Sequence, residues 1–90
     1  MFIPIAINHS FDNNYAVLFP TLLGCHSMGI TINEAIENAK EAAQGYIEIM
    51  LEDGVKIETP LYNLHELMLY KEYEDCVWKI IKIPDLNTGN

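Results

Sequence analysis

A long amphipathic segment with a capping signal at each end constrains this chain more than any other feature. Thr31 and Glu34 have the spacing of a capping box. In that motif the threonine hydroxyl accepts from the glutamate amide, and the glutamate side chain reaches back to the Thr31 amide. Gly54 stands where a glycine commonly ends a helix. The pattern predicts a helix over residues 32–52, about 30 Å long by the standard rise per residue.

The predicted helix has two chemically distinct faces. At about 100° per residue, one face is apolar and rich in small side chains, which let a helix lie close to a sheet. The opposite face is acidic, with Lys40 as the basic residue nearby. This acidic face is consistent with a solvated outer surface or with a docking surface for a basic partner. The apolar residues are Ile32, Ala35, Ile36, Ala39, Ala43, Tyr46, Ile47 and Met50, and the acidic ones are Glu34, Glu37, Glu41, Glu48 and Glu52.

Three strands are predicted before the helix. Residues 2–8 and 15–19 are β-prone and are separated by turn-forming residues at 10–14, which indicates a hairpin. The continuous apolar run of 15–19 is typical of a strand that is covered on both faces. Pro20 ends this hairpin, and a short third strand follows at Cys25–Met28.

After the helix the chain returns to the sheet. Residues 55–61 are extended by propensity, Asn63 and Glu66 cap a short helix over 64–70, and a last strand follows at 76–83. Its core candidates are Trp78, Ile80 and Ile81, although two lysines leave one of its faces partly uncovered. The order is β-β-β-α-(short α)-β, an α+β fold in which one long helix packs on a sheet. We expect a single domain over 1–84 and a polar tail at 85–90.

The composition excludes several classes of function. The 90 residues carry 13 Asp and Glu against five lysines and no arginine, for a formal charge of −8. Nucleic-acid binders and proteins of anionic membrane surfaces need a basic face. No apolar run approaches the roughly 20 residues of a membrane span, and the N-terminus lacks the features of a signal peptide. We therefore expect a cytoplasmic protein.

Catalytic and metal-binding patterns are absent from the sequence. Cys25 and Cys76 are expected to be reduced thiols rather than a disulfide, and they have no zinc-ligand spacing with the scattered histidines. No nucleophile or phosphate-binding motif occurs. A metal-dependent nuclease needs converging carboxylates, but the first strand carries Ile3, Ile5 and Ile7. We expect no enzyme activity and no cofactor, which leaves a degenerate nuclease as the least favoured reading.

Two stretches of the chain resemble a known family. Tyr15–Cys25 reads YAVLFPTLLGC, Gly29–Ala42 reads GITINEAIENAKEA, and Glu52–Gly54 ends the helix. This pattern is similar to that of the HicB-type antitoxins and their solitary relatives of the UPF0150 type, and the similarity covers residues 2–83. Thr21 and Leu23 depart from it, because the family usually has Asp and Pro at these positions.

The resemblance implies a fold and a partner. The fold would be a partial ribonuclease-H-like domain without the nuclease carboxylates. The partner would be a small basic HicA-type toxin, an mRNA-cleaving ribonuclease whose active site the antitoxin covers. Full HicB antitoxins usually carry a C-terminal DNA-binding module, and nothing after Ile83 resembles one. A shortened chain, a natural stand-alone member and a form that relies on another repressor are all compatible with this.

The motif residues divide into structural and contact candidates. Gly24 and Gly29 suit special backbone angles, and Asn38, between the two helix faces, ties down a neighbouring loop or is simply exposed. The remaining structural candidates are Cys25, Thr31, Glu34, Ala35, Ala39 and Gly54. The candidates for toxin contact are Glu37, Glu41, Glu48, Tyr15, Phe19, Pro20 and Leu22. The alternative is a stand-alone HicB-like domain of unassigned role that forms a homodimer or a higher homo-oligomer, and an antitoxin could itself be such an oligomer.

Overall fold

The fold is one four-stranded antiparallel sheet with a long helix packed on it. A computed structural model describes residues 1–9, 12–55 and 62–84. The elements in chain order are β1 (Phe2–His9), β2 (Tyr15–Leu18), β3 (His26–Gly29), α1 (Ile32–Glu52), α2 (Leu64–Leu67), a 3₁₀ turn (Lys71–Tyr73) and β4 (Val77–Lys82). This confirms the predicted α+β class and the β-β-β-α-β order. Three predicted segments lie partly or wholly outside the described residues. They are the turn at 10–14, the extended segment at 55–61 and the tail at 85–90.

The first and last strands of the chain lie side by side in the sheet. The strand order is β3-β2-β1-β4, so β1 is central and β4 forms one edge. β1 pairs with β4 from Phe2 opposite Lys82 to Ile7 opposite Val77. Two hydrogen bonds extend this contact: the Met1 ammonium donates to the Ile83 carbonyl at 3.0 Å, and the Ile83 amide donates to the Met1 carbonyl. The two ends of the domain therefore hold each other in place.

The hydrophobic core lies between the sheet and α1. Alternate residues of β1 meet the apolar stripe of the helix, because side chains of a strand point alternately to its two faces. Ile36, Tyr46 and Met50 are half-buried at the margins of this contact. The predicted apolar face of the helix is therefore confirmed. The buried core residues include Ile3, Ile5, Ile7, Val17, Ala35, Ala39, Ala43, Ile47, Ile81 and Ile83.

The strand that is buried on both faces is β1, which corrects the prediction for residues 15–19. Every residue from Ile3 to Ile7 is buried, whereas burial in β2 is complete only at Val17. An apolar run indicates a covered strand, but it does not say which strand has two full-length neighbours. The pairing of β1 with β4 places β1 in the centre, and this long-range contact is not visible in the local pattern.

Several predicted boundaries are shifted by one to three residues. The third strand begins at His26 rather than Cys25, and the last strand covers 77–82 rather than 76–83. The short helix ends at Leu67. The amides of Leu69 and Tyr70 donate to carbonyls three residues back, those of Glu66 and Leu67, and this spacing tightens the chain into a turn. Ile80 is exposed on the edge strand and is not a core residue, whereas Ile81 is buried.

Both ends of α1 are capped as expected, with one difference. The Glu34 amide donates to Thr31 Oγ1 at 3.0 Å. The Glu34 carboxylate, however, accepts from the Ile30 amide at 3.2 Å and not from the amide of Thr31. At the other end, the amides of Gly54 and Val55 donate to carbonyls in the last turn, and Gly54 has a φ of 75°. These are the bonds of a Schellman motif.

Gly29 is required by close packing and not by its backbone angle, which corrects the expected role. A Cβ atom built at Gly29 would lie 2.4 Å from the Ala35 amide nitrogen, in the first turn of α1. Backbone atoms cannot move away as a flexible side chain can. Gly24 does have the expected special angle, with a φ of 88°. The absence of a side chain at 29 is therefore what lets α1 begin directly against β3.

Candidate functional site

The acidic residues proposed for partner contact form an exposed row on α1. Glu37, Glu41 and Glu48 are all exposed, on the side of the helix away from the sheet. Glu37 forms an ion pair with Lys40, with 3.1 Å between Nζ and Oε2. Exposed pairs of this kind contribute little to stability, because water and salt screen them. Lys40 therefore holds Glu37 only weakly, and Glu41 and Glu48 have no ion pair among the described residues, so all three charges are accessible.

The other contact candidates divide into exposed and buried residues. Tyr15 is half-buried and its ring stacks on His9, with 4.8 Å between the ring centroids, and Pro20 is half-buried. Phe19 and Leu22, by contrast, are only 5% and 9% exposed and belong to the core. Buried side chains of this kind support the loop that carries Pro20. We therefore drop Phe19 and Leu22 from the contact surface and keep the other two.

The loop between β2 and β3 is held by hydrogen bonds from within and from α1. The Leu22 amide donates to the Phe19 carbonyl, and the Cys25 amide donates to the Leu22 carbonyl. From the helix, the Tyr46 hydroxyl donates to the Leu23 carbonyl at 2.7 Å. These bonds turn the Leu22 side chain into the core and leave Leu23 outside, where it is 82% exposed.

A cleft opens between this loop and α2. One wall is formed by Pro20, Thr21 and Leu23, and the other includes Glu66 and Tyr70. Its volume is about 390 Å³, and a second cavity of about 300 Å³ continues along Leu69 and shares the Glu66–Tyr70 wall. The sequence patterns did not indicate this site. Leu23 was noticed as a departure from the family pattern, but nothing local showed that α2 lies opposite it.

Asn38 has the anchoring role that the sequence predicted. Its Nδ2 donates to the Met28 carbonyl at 2.8 Å. The accepting group belongs to the edge strand β3 rather than to a loop. This hydrogen bond therefore ties α1 directly to the backbone of an edge strand.

The two cysteines have the properties of structural thiols. Both are free, with Cys25 buried and Cys76 half-buried. Burial raises the pKa of Cys25, and burial together with the charge of Asp75 raises the pKa of Cys76. Since the thiolate is the reactive form, both side chains are poor nucleophiles near neutral pH.

The described residues hold neither a metal-ligand cluster nor a membrane-crossing helix. No group of three or more His, Cys, Asp or Glu side chains within 1–9, 12–55 and 62–84 is placed to hold a metal ion. Over the same ranges, no helix has both the length and the apolar character that crossing a bilayer requires.

Comparisons with known proteins agree on one family. Residues 3–88 match the family described as HicB-like antitoxin of bacterial toxin–antitoxin systems. An uncharacterised 14.9 kDa protein from the rep–hol intergenic region of Haemophilus phage HP1 is 37% identical over 84 residues. That alignment covers 92% of this chain and 61% of the phage protein, so this chain spans less than two thirds of that relative.

Solved structures share the fold. The N-terminal domain of the Burkholderia pseudomallei antitoxin HicB is 34% identical with a TM-score of 0.82, and the match covers 93% of this chain and 99% of that one. A chain from the HicA3–HicB3 toxin–antitoxin complex is 25% identical with a TM-score of 0.76, over 94% of this chain and 100% of that one. Sequence and structure together show that this chain belongs to the HicB-like antitoxin family of bacterial toxin–antitoxin systems.

Proposed function

We propose that this chain is an antitoxin module that binds a small basic HicA-type ribonuclease and blocks its active site. The observation that carries the proposal is the match to a chain of the HicA3–HicB3 toxin–antitoxin complex, which covers 94% of this chain. The same fold in that assembly supports a protein toxin as the partner. The role is one of binding, without catalysis and without direct contact with nucleic acid.

The charge of the chain supports a basic partner. The formal charge is −8, and the exposed row on α1 places several of these charges on one surface. Complementary fields speed the encounter of two proteins and disfavour wrong partners. A ribonuclease must attract RNA phosphates, so its active-site surface is basic, and an acidic protein can compete for that surface.

The position of the core supports a role without nuclease chemistry. Ile3, Ile5 and Ile7 are buried under α1, at positions on the first strand where a metal-dependent nuclease would need carboxylates. Acidic side chains at these positions would have to be desolvated in the core. The acidic residues of α1 lie instead on an exposed surface.

The experiment is a binding and inhibition assay with a small basic HicA-type toxin, for which the genes next to the one for this chain are the first source of candidates. The purified chain is expected to form a tight complex with this toxin and to stop its cleavage of mRNA. A toxin variant without its catalytic histidine gives the affinity without the toxicity. Full ribonuclease activity in the presence of a large excess of this chain would contradict the proposal.

Reversing two charges on α1 is expected to slow the formation of this complex. In the double variant Glu41→Lys/Glu48→Lys, the association rate should fall about tenfold or more at low ionic strength, because steering by charge is lost. Added salt should narrow the difference in association rate between the double variant and the wild type, since salt screens exposed charges. The matched control Asp12→Lys/Glu74→Lys makes the same charge change at exposed sites outside the helix. Equal association rates for the two double variants would remove the acidic row from the interface.

A stand-alone oligomeric domain is the alternative, and the edge strand β4 favours it. Val77 and Ile80 are both about half exposed on this edge, and an uncovered edge strand can pair with a second copy. Lys79 and Lys82 on the same strand oppose such pairing by their like charges. Sedimentation velocity over a wide range of concentrations is expected to show a dimer or larger species if β4 pairs. A monomer at high concentration would rule this alternative out.

A further inference from the structure

We propose that the cleft between the Pro20–Leu23 loop and α2 receives a basic side chain, an arginine or a lysine, of the toxin. This inference rests on the proposed function and adds the place and the chemistry of the contact. In this arrangement the Tyr70 ring and the Leu23 side chain pack against the aliphatic stem. The Glu66 carboxylate pairs with the charged head.

Much apolar surface is left uncovered around the cleft. Leu23, Leu69 and Tyr70 are 82%, 75% and 57% exposed. They are continuous, because Glu66 and Tyr70 line both the cavity that reaches Leu23 and the cavity that reaches Leu69. Scattered exposed apolar residues need no explanation, but a continuous group of this kind marks a surface that a partner covers.

The charge of the cleft is negative. Glu66 is the charged residue in the lining of both cavities, and neither lining includes a lysine. Within the described part of the chain, its carboxylate forms no ion pair or hydrogen bond. A carboxylate next to a tyrosine ring favours a cation, since both the charge and the ring face attract it. An arginine or lysine also has the long apolar stem that the leucines would cover.

Both walls of the cleft are already held in place. Tyr46 fixes the Leu23 carbonyl with a 2.7 Å hydrogen bond, and the Asn63 side chain accepts from the Glu66 amide at 3.3 Å. A partner that enters a preformed cleft loses less conformational entropy than one that must order it. The cleft can therefore contribute to affinity without a rearrangement of this chain.

Charge decides between the toxin and a second copy as the occupant. A second copy would have to supply one of its five lysines while both chains carry −8, and the two copies would repel each other. A small basic toxin has the opposite charge, so its approach is favoured. The second copy is kept as an outcome of the test.

The test uses two single substitutions in the cleft, each with a matched control. Leu23→Ser removes the apolar wall, and Ile30→Ser makes the same kind of change at another exposed aliphatic residue outside the helices and strands. Glu66→Gln removes only the charge, with Glu74→Gln as its control. The probe is the catalytic-histidine variant of the same HicA-type toxin, and Kd is measured by calorimetry after thermal melts confirm that each variant is folded.

We expect each cleft variant to weaken binding by about 10- to 100-fold, as buried contacts and charge pairs at an interface do. The controls should stay within about twofold, the range of rim contacts. Wild-type affinity in both cleft variants, with the toxin still bound by the wild type, would overturn the cleft as the docking site and leave the proposed function standing. A wild-type chain that binds no toxin would overturn the proposed function, and this contact with it. A dimer of the free chain that Leu23→Ser converts to a monomer would assign the cleft to a second copy instead.

Discussion

Replacing Ile5 with alanine is expected to lower the free energy of unfolding by about 2–5 kcal/mol. Ile5 is fully buried in the central strand, between its neighbours in the sheet and the alanine-rich stripe of α1. The loss of stability has two parts. Folding no longer removes the deleted methyl and methylene groups from water, and the space that these groups occupied stays empty. The helix cannot close this space, since its small side chains already bring it against the sheet. The free energy of unfolding of a natural domain is about 5–15 kcal/mol in total, so this one change removes a large fraction of it.

Urea unfolding followed by far-UV circular dichroism measures this effect. Ile49→Ala is the matched control, because it removes the same atoms from an exposed position on α1. Its stability should stay within about 0.5 kcal/mol of the wild type, as is usual for surface substitutions. Similar losses in the two variants would mean that Ile5 does not lie at the centre of the core.

Replacing Gly29 with alanine is expected to cost about 1–3 kcal/mol, the usual penalty for forcing an extra group into a packed region. The new Cβ would lie 2.4 Å from the Ala35 amide nitrogen. Neither atom can turn away, because the Cβ is held rigidly by its own backbone and the nitrogen is itself a backbone atom. To accommodate it, the start of α1 must move away from β3. That movement would also strain the bond from Asn38 to the Met28 carbonyl, so amide exchange should speed up first at the end of β3.

The same substitution at Gly45 should have the opposite sign. Gly45 lies in the middle of α1, and a Cβ built there meets nothing within 4 Å. Alanine is favoured over glycine inside a helix by roughly 1 kcal/mol, so Gly45→Ala should raise the denaturation midpoint while Gly29→Ala lowers it. Stabilisation of both variants would contradict the close approach of α1 to β3.

The parts of the fold that could be predicted depend on contacts between residues close in the chain. The limits of α1 were correct at both ends because its caps are hydrogen bonds among neighbours, such as the bond from the Glu34 amide to Thr31. The face that it buries was correct because the helical period alone assigns it. The strand buried on both faces was predicted wrongly at residues 15–19, because the burial of β1 depends on its pairing with the distant β4.

In the candidate site, too, the features set by local spacing could be predicted and those set by the folded chain could not. The acidic row could be placed from the helical spacing, and the structure leaves Glu41 and Glu48 exposed as that spacing requires. Phe19 and Leu22 were expected on a contact surface around the hairpin, together with Tyr15 and Pro20. The Leu22 amide, however, donates to the Phe19 carbonyl, and the bend that this bond closes turns both side chains inward.

The sequence by itself determined the helix, its two faces, the acidic charge and, through its motifs, the family. Each of these depends on residue identity or on spacing within a few turns. Only the tertiary structure decided which strand is central, why residue 29 must be glycine, and that Leu23 faces Glu66 and Tyr70 across a cleft. The physical reason is that these features are distances between backbone segments far apart in the chain. They exist only once the sheet has paired and α1 has packed on it.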